Sequence, residues 1–351
     1  MELIRSNRTE SLADALASRI AESPLGPFEK EVIVVQSRGM ERWLTLALAD
    51  RLGIWSNPSF PFPRAVVEQV LAELGFGSSD EANAYEPERL KWTIAEILTG
   101  SAPTELRTYV GEPLAADRVL RLASSVATAF DDYVVYRPQR LADWAGGAGD
   151  DWQADLWRKL VEQLGPHDLA SRVAQALAAL GRGRSTAEIG FKRLHLFSLE
   201  TLPPLFLQLF SALSRSVPTR FYLLEPSREY LADQDAGSPG SESADEIPID
   251  GHPLAANLGR LARDFQQLLL DVSDSVAGED ERFESPERAN LLGSIQSDIL
   301  ELRSPPEPSA REKIDSADDS VALHACTGPM REAKVLHDAI LDALEDDPSL
   351  K

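Results

Sequence analysis

A chain of 351 residues, 43 % hydrophobic and 26 % charged, is long enough for two or three domains and has an ordinary globular composition, which excludes a disordered or fibrous chain. The formal charge of -22, from 35 Lys and Arg against 57 Asp and Glu, excludes a nucleic-acid binder that works by overall charge; any DNA contact must be local or shared with partner chains. Cys326 is the only cysteine, which excludes an internal disulfide or a cysteine-built zinc site; no apolar run nears the roughly 18 residues of a membrane span, and MELIRSNR lacks a signal-peptide core, so a cytoplasmic protein with no membrane partner is expected.

In chain order, LI at 3–4 reads as a short strand and SNRTE at 6–10 as the opening of a helix. Asn7 and Glu10 stand at capping-box spacing, and Leu12, Leu16 and Ile20 form a buried stripe. This first strand–turn–helix is where a P-loop ATPase carries GxxxxGK[ST], whose glycines and lysine wrap the phosphates. The turn holds neither Gly nor Lys, so no nucleotide binding is expected from it. VIVV at 32–35 reads as a strand buried on both faces, as in parallel sheets. A helix follows at once, with Met40, Trp43, Leu44, Ala47 and Leu48 on its buried face and Gly53 where a left-handed C-terminal residue is wanted. The join, Gln36-Ser37-Arg38-Gly39, is a polar turn at the carboxyl end of a strand, where open α/β sheets place ligand contacts.

Pro58, Pro61 and Pro63 interrupt regular structure before Val66, Val67, Val70, Leu71 and Leu74 restart a helix, and GFGSSDEANAY at 75–85 reads as a linker. From 86 to about 181 helical spacing takes over. Leu90, Ile94, Ile97 and Leu98 mark one helix, Leu114, Val119, Leu122, Val126 and Phe130 a longer stretch, and Leu156, Leu160, Leu164 and then Leu169, Val173, Leu177, Leu180 two more. This is an all-helical block inserted into an α/β domain. RLHLFSL at 193–199 and RFYLL at 220–224 return to strand on either side of a helix over 203–213. The stretch 230–251 is too polar to bury a core and reads as a disordered loop. Helices over 254–272 and 291–302, a polar linker near 304–319, a strand at 320–326 and a helix over 330–344 complete the chain. A terminal βα unit with no strand after it is expected to belong to a domain that continues.

No catalytic constellation emerges. Glu200 follows the RLHLFSL strand where a Walker-B acid pair would lie, yet Ser198-Leu199-Glu200 has no Asp-Glu pair and reads as a loop acid. His167, His195, His252, His324 and His337 lack metal-ligand spacing, so His195 and His324 are expected in core or edge strand positions, and Cys326 as a buried structural thiol.

Several blocks carry a resemblance. VQSRGMERWL at 35–44 with FPFP at 60–63, FDDYVVYRP at 130–138, WQADLW at 152–157, LPPLFLQLF at 202–210, HPLAANLGRLARDF at 252–265, SIQSDILEL at 294–302 and GPMREAKVLHDAI at 328–340 follow one another as in the N-terminal portion of the RecC family, the gamma subunit of the RecBCD (exodeoxyribonuclease V) helicase–nuclease. The chain resembles about the first third of such subunits. The resemblance implies an α/β, helicase-like (P-loop NTPase-type) parallel-sheet domain that lacks a P-loop and carries an inserted all-helical domain. Its implied parts are 1–75 as the first part of domain 1A, 76–185 as a domain 1B-like helical insertion, 186–319 as the second part of 1A with a disordered loop near 232–251, and 320–351 as the truncated start of domain 2A.

The same resemblance implies a non-catalytic subunit that guides single-stranded and forked DNA, with RecB-like and RecD-like partners and no cofactor of its own, ATP and magnesium being used by the partners. It makes Gln36, Arg38, Arg42, Phe62 and Arg137 the DNA-contact candidates. Gln36 and Arg137 carry over unchanged, whereas Arg38 and Arg42 replace smaller polar residues, Phe62 replaces an aliphatic one, and Glu68, Thr128 and Ala129 differ in chemistry. Arg pairs with guanine or phosphate and Gln favours adenine, so this set would read another sequence than the family's Chi site, or none. Arg137, beside Tyr136, can stack on bases as well as pair with phosphate. Two readings from other classes stand beside it: an active ATP-dependent helicase domain, and an adaptor acting through protein contacts alone.

Overall fold

Side chains alternate across each strand of one parallel sheet, and that alternation builds two cores. The computed structural model describes residues 1–350 except 56, 78–79, 102, 112–113, 187–188, 232–251, 273, 275, 305, 307–308, 310–312, 314 and 348–349. The strands are β1 (Glu2–Ser6), β2 (Glu31–Val34), β3 (Pro58–Ser59), β4 (Leu194–Phe197), β5 (Thr219–Leu224) and β6 (Gly278–Glu281), all parallel, in the spatial order β3-β2-β4-β5-β1-β6. On one face Ile4, Ile33, Val35, Phe197 and Tyr222 meet the buried stripes of α1 (Thr9–Glu22) and α2 (Arg38–Leu52), through Leu12, Leu16, Leu44 and Leu48. On the other, Leu3, Val32, Val34, Leu194, Leu196, Phe221 and Leu223 meet α3 (Pro63–Glu73) and the remaining helices.

Those helices are α4 (Asp80–Asn83), α5 (Pro87–Ser101), α6 (Thr104–Val110), α7 (Ala116–Tyr136), α8 (Pro138–Ala145), α9 (Trp152–Leu164), α10 (Leu169–Gly181) and, after β4, α11 (Pro204–Leu213). Between β3 and β4 no strand occurs among the described residues, as the spacing predicts. Asp151 and Asp168 cap α9 and α10 by accepting backbone N–H bonds. Phe130, Trp144 and Trp157 fill the centre of the block, and its core runs without a break into the sheet through Val66, Val70, Phe206 and Phe210. Within the stretch expected as a linker, α4 forms and Tyr85 is buried against Trp157, its hydroxyl donating to Gly165 O at 2.5 Å. An aromatic ring with a satisfied hydroxyl outweighs the polar composition around it.

Further expectations need correcting. Asn7 does not build a capping box: the N-cap of α1 is Arg8, with no side-chain cap bond, and the Asn7 amide is spent elsewhere. The helix expected over 254–272 is two, α12 (Pro253–Leu258) and α13 (Arg260–Leu270), broken at Gly259, where an added Cβ would stand 2.3 Å from the Ala255 carbonyl oxygen. After α14 (Leu291–Leu300), residues 320–326 form no strand and pair with no strand among the described residues; Leu323 is 95 % exposed, His324 is exposed and Cys326 is half-buried rather than a core thiol. The helix α15 (Pro329–Asp346) buries no residue. Trp43 and Met40 are half-buried at the rim of their core, which Leu44, Ala47 and Leu48 carry, and Leu114 of the predicted stripe is exposed.

The strand β6 has no apolar alternation and could not be read from GEDE. It pairs with β1 alone, and the Arg5 guanidinium inside binds Glu225 (2.5 Å), Glu281 (3.1 Å) and Glu279 (3.2 Å). Most of the expected loop at 230–251 lies outside the described residues; Tyr230 stands over the Arg5 guanidinium, 4.7 Å from its carbon, and Leu231 is buried.

Candidate nucleic-acid interface

The turn from β2 to α2 ends a buried strand and starts a helix, so its polar side chains have only the carboxyl edge of the sheet to occupy. Ser37 caps α2, accepting from Met40 N at 3.1 Å, and places Arg38 in the first turn. Gln36 donates from Nε2 to Thr201 O at 3.1 Å, which ties the turn to the loop after β4; that loop begins at Ser198, held at φ 48°. Such a backbone costs about 1–3 kcal/mol for a residue with a side chain and collects at functional edges.

Val35 N donates to Pro61 O at 3.3 Å, which draws Phe62, the N-cap residue of α3, alongside the turn. The Arg38 guanidinium carbon lies 5.6 Å from the Phe62 ring centre, while its Nη1 binds Glu41 at 2.7 Å. Arg42 stands one turn further on, exposed, and with Arg38, Glu41, Thr45 and Leu46 lines a shallow groove of about 300 Å³. Gln36, Arg38, Arg42 and Phe62 therefore share one edge. Arg137, the residue between α7 and α8, is exposed, and no hydrogen bond, ion pair or ring contact joins it to that group among the described residues. The link is indirect: Arg64, in the first turn of α3, binds both oxygens of Asp131 on α7 at 3.0 and 2.9 Å. Glu68 forms a double hydrogen bond to Arg172 at 2.8 Å for each oxygen, a tie between α3 and α10, and the exposed Thr128 hydroxyl bonds back to Ser124 O.

The β1–α1 turn is closed from within the chain. Ser6 Oγ donates to Arg282 O at 2.8 Å and accepts from Arg8 N, and Asn7 grips the backbone of Glu284 twice, at 2.8 and 2.9 Å. The Glu284 carboxylate takes the Ser11 hydroxyl on one oxygen and Arg8 Nη1 at 3.3 Å on the other. An internal anion thus lies against the first turn of α1, where the helix dipole and free N–H groups favour one. A cleft of about 900 Å³ opens beside it, lined by Arg8, Leu224, Glu284, Leu292 and Ile299. Sequence reading missed Glu284 because it lies far along the chain, just past the strand β6 that had no signal.

Glu200 is exposed, and no group of His, Cys, Asp and Glu among the described residues is arranged to hold a metal ion. His195 sits in the core between Glu31 and Tyr222, with Nε2 3.0 Å from Glu31 Oε1 and Nδ1 3.2 Å from the Tyr222 hydroxyl. No helix among the described residues is long and apolar enough to cross a membrane.

These features define a class: an open parallel α/β sheet with a helical block on one face, a polar basic–aromatic edge at β2, and a first βα turn filled by its own carboxylate. The chain belongs to the RecC family. The family model described as RecC, N-terminal domain, matches residues 1–302. The RecBCD enzyme subunit RecC of Escherichia coli (strain K12) is 30 % identical over 406 aligned residues, which cover 100 % of this chain and 36 % of that protein. Its counterpart from Mycolicibacterium smegmatis is 30 % identical over 367 residues (100 % and 32 %), and that from Haemophilus influenzae 26 % over 417 (98 % and 37 %). The chain spans about a third of the length of these relatives.

Proposed function

We propose that this chain is part of a non-catalytic, DNA-guiding and scaffolding subunit of a RecBCD-type helicase–nuclease that processes double-strand breaks for homologous recombination in the cytoplasm. The observation that carries the proposal is the β1–α1 turn of a RecC-family chain, which has no lysine and is filled by Glu284. On this reading 1–75 and 186–319 are a helicase-like domain 1A without a P-loop, 76–185 is the 1B-like insertion and 320–351 begins domain 2A. RecB-like and RecD-like subunits supply ATP and magnesium chemistry. Single-stranded and forked DNA passes the Gln36–Arg38–Arg42–Phe62 edge and Arg137. Arg38 and Arg42 suit phosphate or guanine, so guidance of the strand is better supported than reading of a fixed Chi sequence.

The purified chain is expected to show no saturable ATP binding at micromolar concentration. Micromolar binding that displaces the Glu284 contact, or DNA-stimulated ATP turnover by the chain alone, would favour the active-helicase alternative.

Arg38→Ala/Arg42→Ala is expected to change stability by less than about 0.5 kcal/mol, because both side chains are exposed. In the complex assembled from the full-length subunit and its partners, the pair should weaken single-strand binding and flatten its salt dependence by up to about one unit per lost phosphate contact. Normal binding with an unchanged salt slope would make these residues ordinary surface charge. A complex in which nothing from this chain crosslinks to DNA would point to the protein-only adaptor.

A further inference from the structure

The corner between α7 and α8, where Arg137 is already a candidate, carries a second basic–aromatic arrangement through Arg140 and Trp144, which lie in none of the sequence blocks. Arg140, in the first turn of α8, lays its guanidinium carbon 5.0 Å from the Trp144 ring centre and 5.6 Å from that of Tyr133. Those rings meet edge to face at 5.9 Å and continue inward through Phe130 to the buried Trp157, so the floor under Arg140 is rigid. Tyr136, 53 % exposed, and Arg137 precede it at the same corner.

Arg137 and Arg140 stand three residues apart at the start of one helix, a spacing at which like charges repel. Neither has a carboxylate partner among the described residues, in a chain with 57 acids; the nearest in sequence on α8, Asp143, accepts from Gln139 at 2.9 Å instead. Planar guanidinium on aromatic rings, an exposed tyrosine and two uncompensated cations are the chemistry that stacks a base and meets its phosphate.

We propose that the α7–α8 corner is a stacking platform for a single-stranded nucleic acid, with Arg140 as its fixed floor and Tyr136 and Arg137 at its side. This rests on the DNA-guiding reading above and adds Arg140, held in place by Tyr133 and Trp144, to the contacts. An acidic peptide is the competing occupant, and the planar floor argues against it, since a carboxylate needs no stacking surface.

The test is binding of a labelled oligothymidylate, and of an abasic oligonucleotide of equal length, by the full chain and its variants. Arg140→Ala should weaken oligothymidylate binding about tenfold. Arg140→Lys, which keeps the charge and loses the plane, should bind oligothymidylate nearly as weakly but leave abasic binding and the salt slope unchanged. Arg140→Met, which keeps the stem over the rings, should unfold at the wild-type denaturant concentration, so that loss of binding in it is not loss of fold. Wild-type binding by Arg140→Ala, or equal competition by poly-glutamate at matched ionic strength, overturns the platform. If Arg140→Ala binds normally while Arg38→Ala/Arg42→Ala does not, the platform fails and the DNA reading stands; if both bind normally, the reading fails as well.

Discussion

Glu31→Leu is expected to destabilise the chain by about 3–5 kcal/mol, because it strands a buried guanidinium. Arg193, 6 % exposed, gives both oxygens of Glu31 a hydrogen bond at 2.6 Å and a third bond to Ser23 O at 2.7 Å, and His195 adds its own to the same carboxylate. The hydrogen-bonded series Arg193–Glu31–His195–Tyr222 joins side chains of β2, β4 and β5. Removing both charges, as Glu31→Leu/Arg193→Met, should recover much of the loss, since a buried ion pair costs desolvation that an apolar pair does not. Denaturant midpoints at unchanged slope would report both effects.

The same network sets an acid limit. Burial alone would raise the Glu31 carboxyl, but the hydrogen bonds and charges of Arg193 and His195 outweigh it and hold the group at about 2, below its ordinary 4.5. His195 is pushed below its ordinary 6.5 by burial, against the pull of Glu31. Each group binds a proton more readily in the unfolded chain, so stability falls on acidification. The His195 share is present above pH 6.5 and lost as the pH drops below that value towards its lowered folded pKa; the Glu31 share is complete above pH 4.5 and lost as the pH falls towards 2. A stability that stays flat from neutral pH down to 3, or rises, would show that this network is not what acid attacks.

Trp157→Ala should cost about 3–5 kcal/mol through the cavity it leaves. The ring is 1 % exposed, with Phe130 at 5.3 Å and Tyr85 at 5.8 Å between ring centres. Because the core of the helical block runs into the sheet, hydrogen exchange should quicken together in α7, α9 and α11. Exchange confined to α5–α10 would instead mean that the block opens as an independent unit. Trp43→Ala should cost less than Trp157→Ala, since Trp43 is half-buried and has room to be replaced by water.

Strands with apolar alternation and helices with periodic stripes were legible in the sequence by itself: VIVV, RLHLFSL and RFYLL, the α1 and α2 stripes, the helical block, the left-handed Gly53 at φ 75° and the polar turn at Gln36–Gly39. So was, through ordered blocks, the family. These are local patterns, set by which side chains must leave water within one element. What depended on partners distant in the chain was decided only in the tertiary structure. The strand β6 exists because Arg5 needs carboxylates and β1 a neighbour, while 320–326 reads as a strand and pairs with none among the described residues. Asn7 sits at capping spacing, yet Glu284 offers its amide two backbone partners where a cap offers fewer. At the site, sequence could propose Gln36, Arg38, Arg42 and Phe62 but not the Thr201 carbonyl or the Glu41 carboxylate that orient two of them, and Arg140 became visible only once Tyr133 and Trp144 met beneath it. A hydrogen bond or ring contact has a required geometry and no required sequence distance, which is why a linear pattern foretells the elements and the folded chain alone assigns their partners.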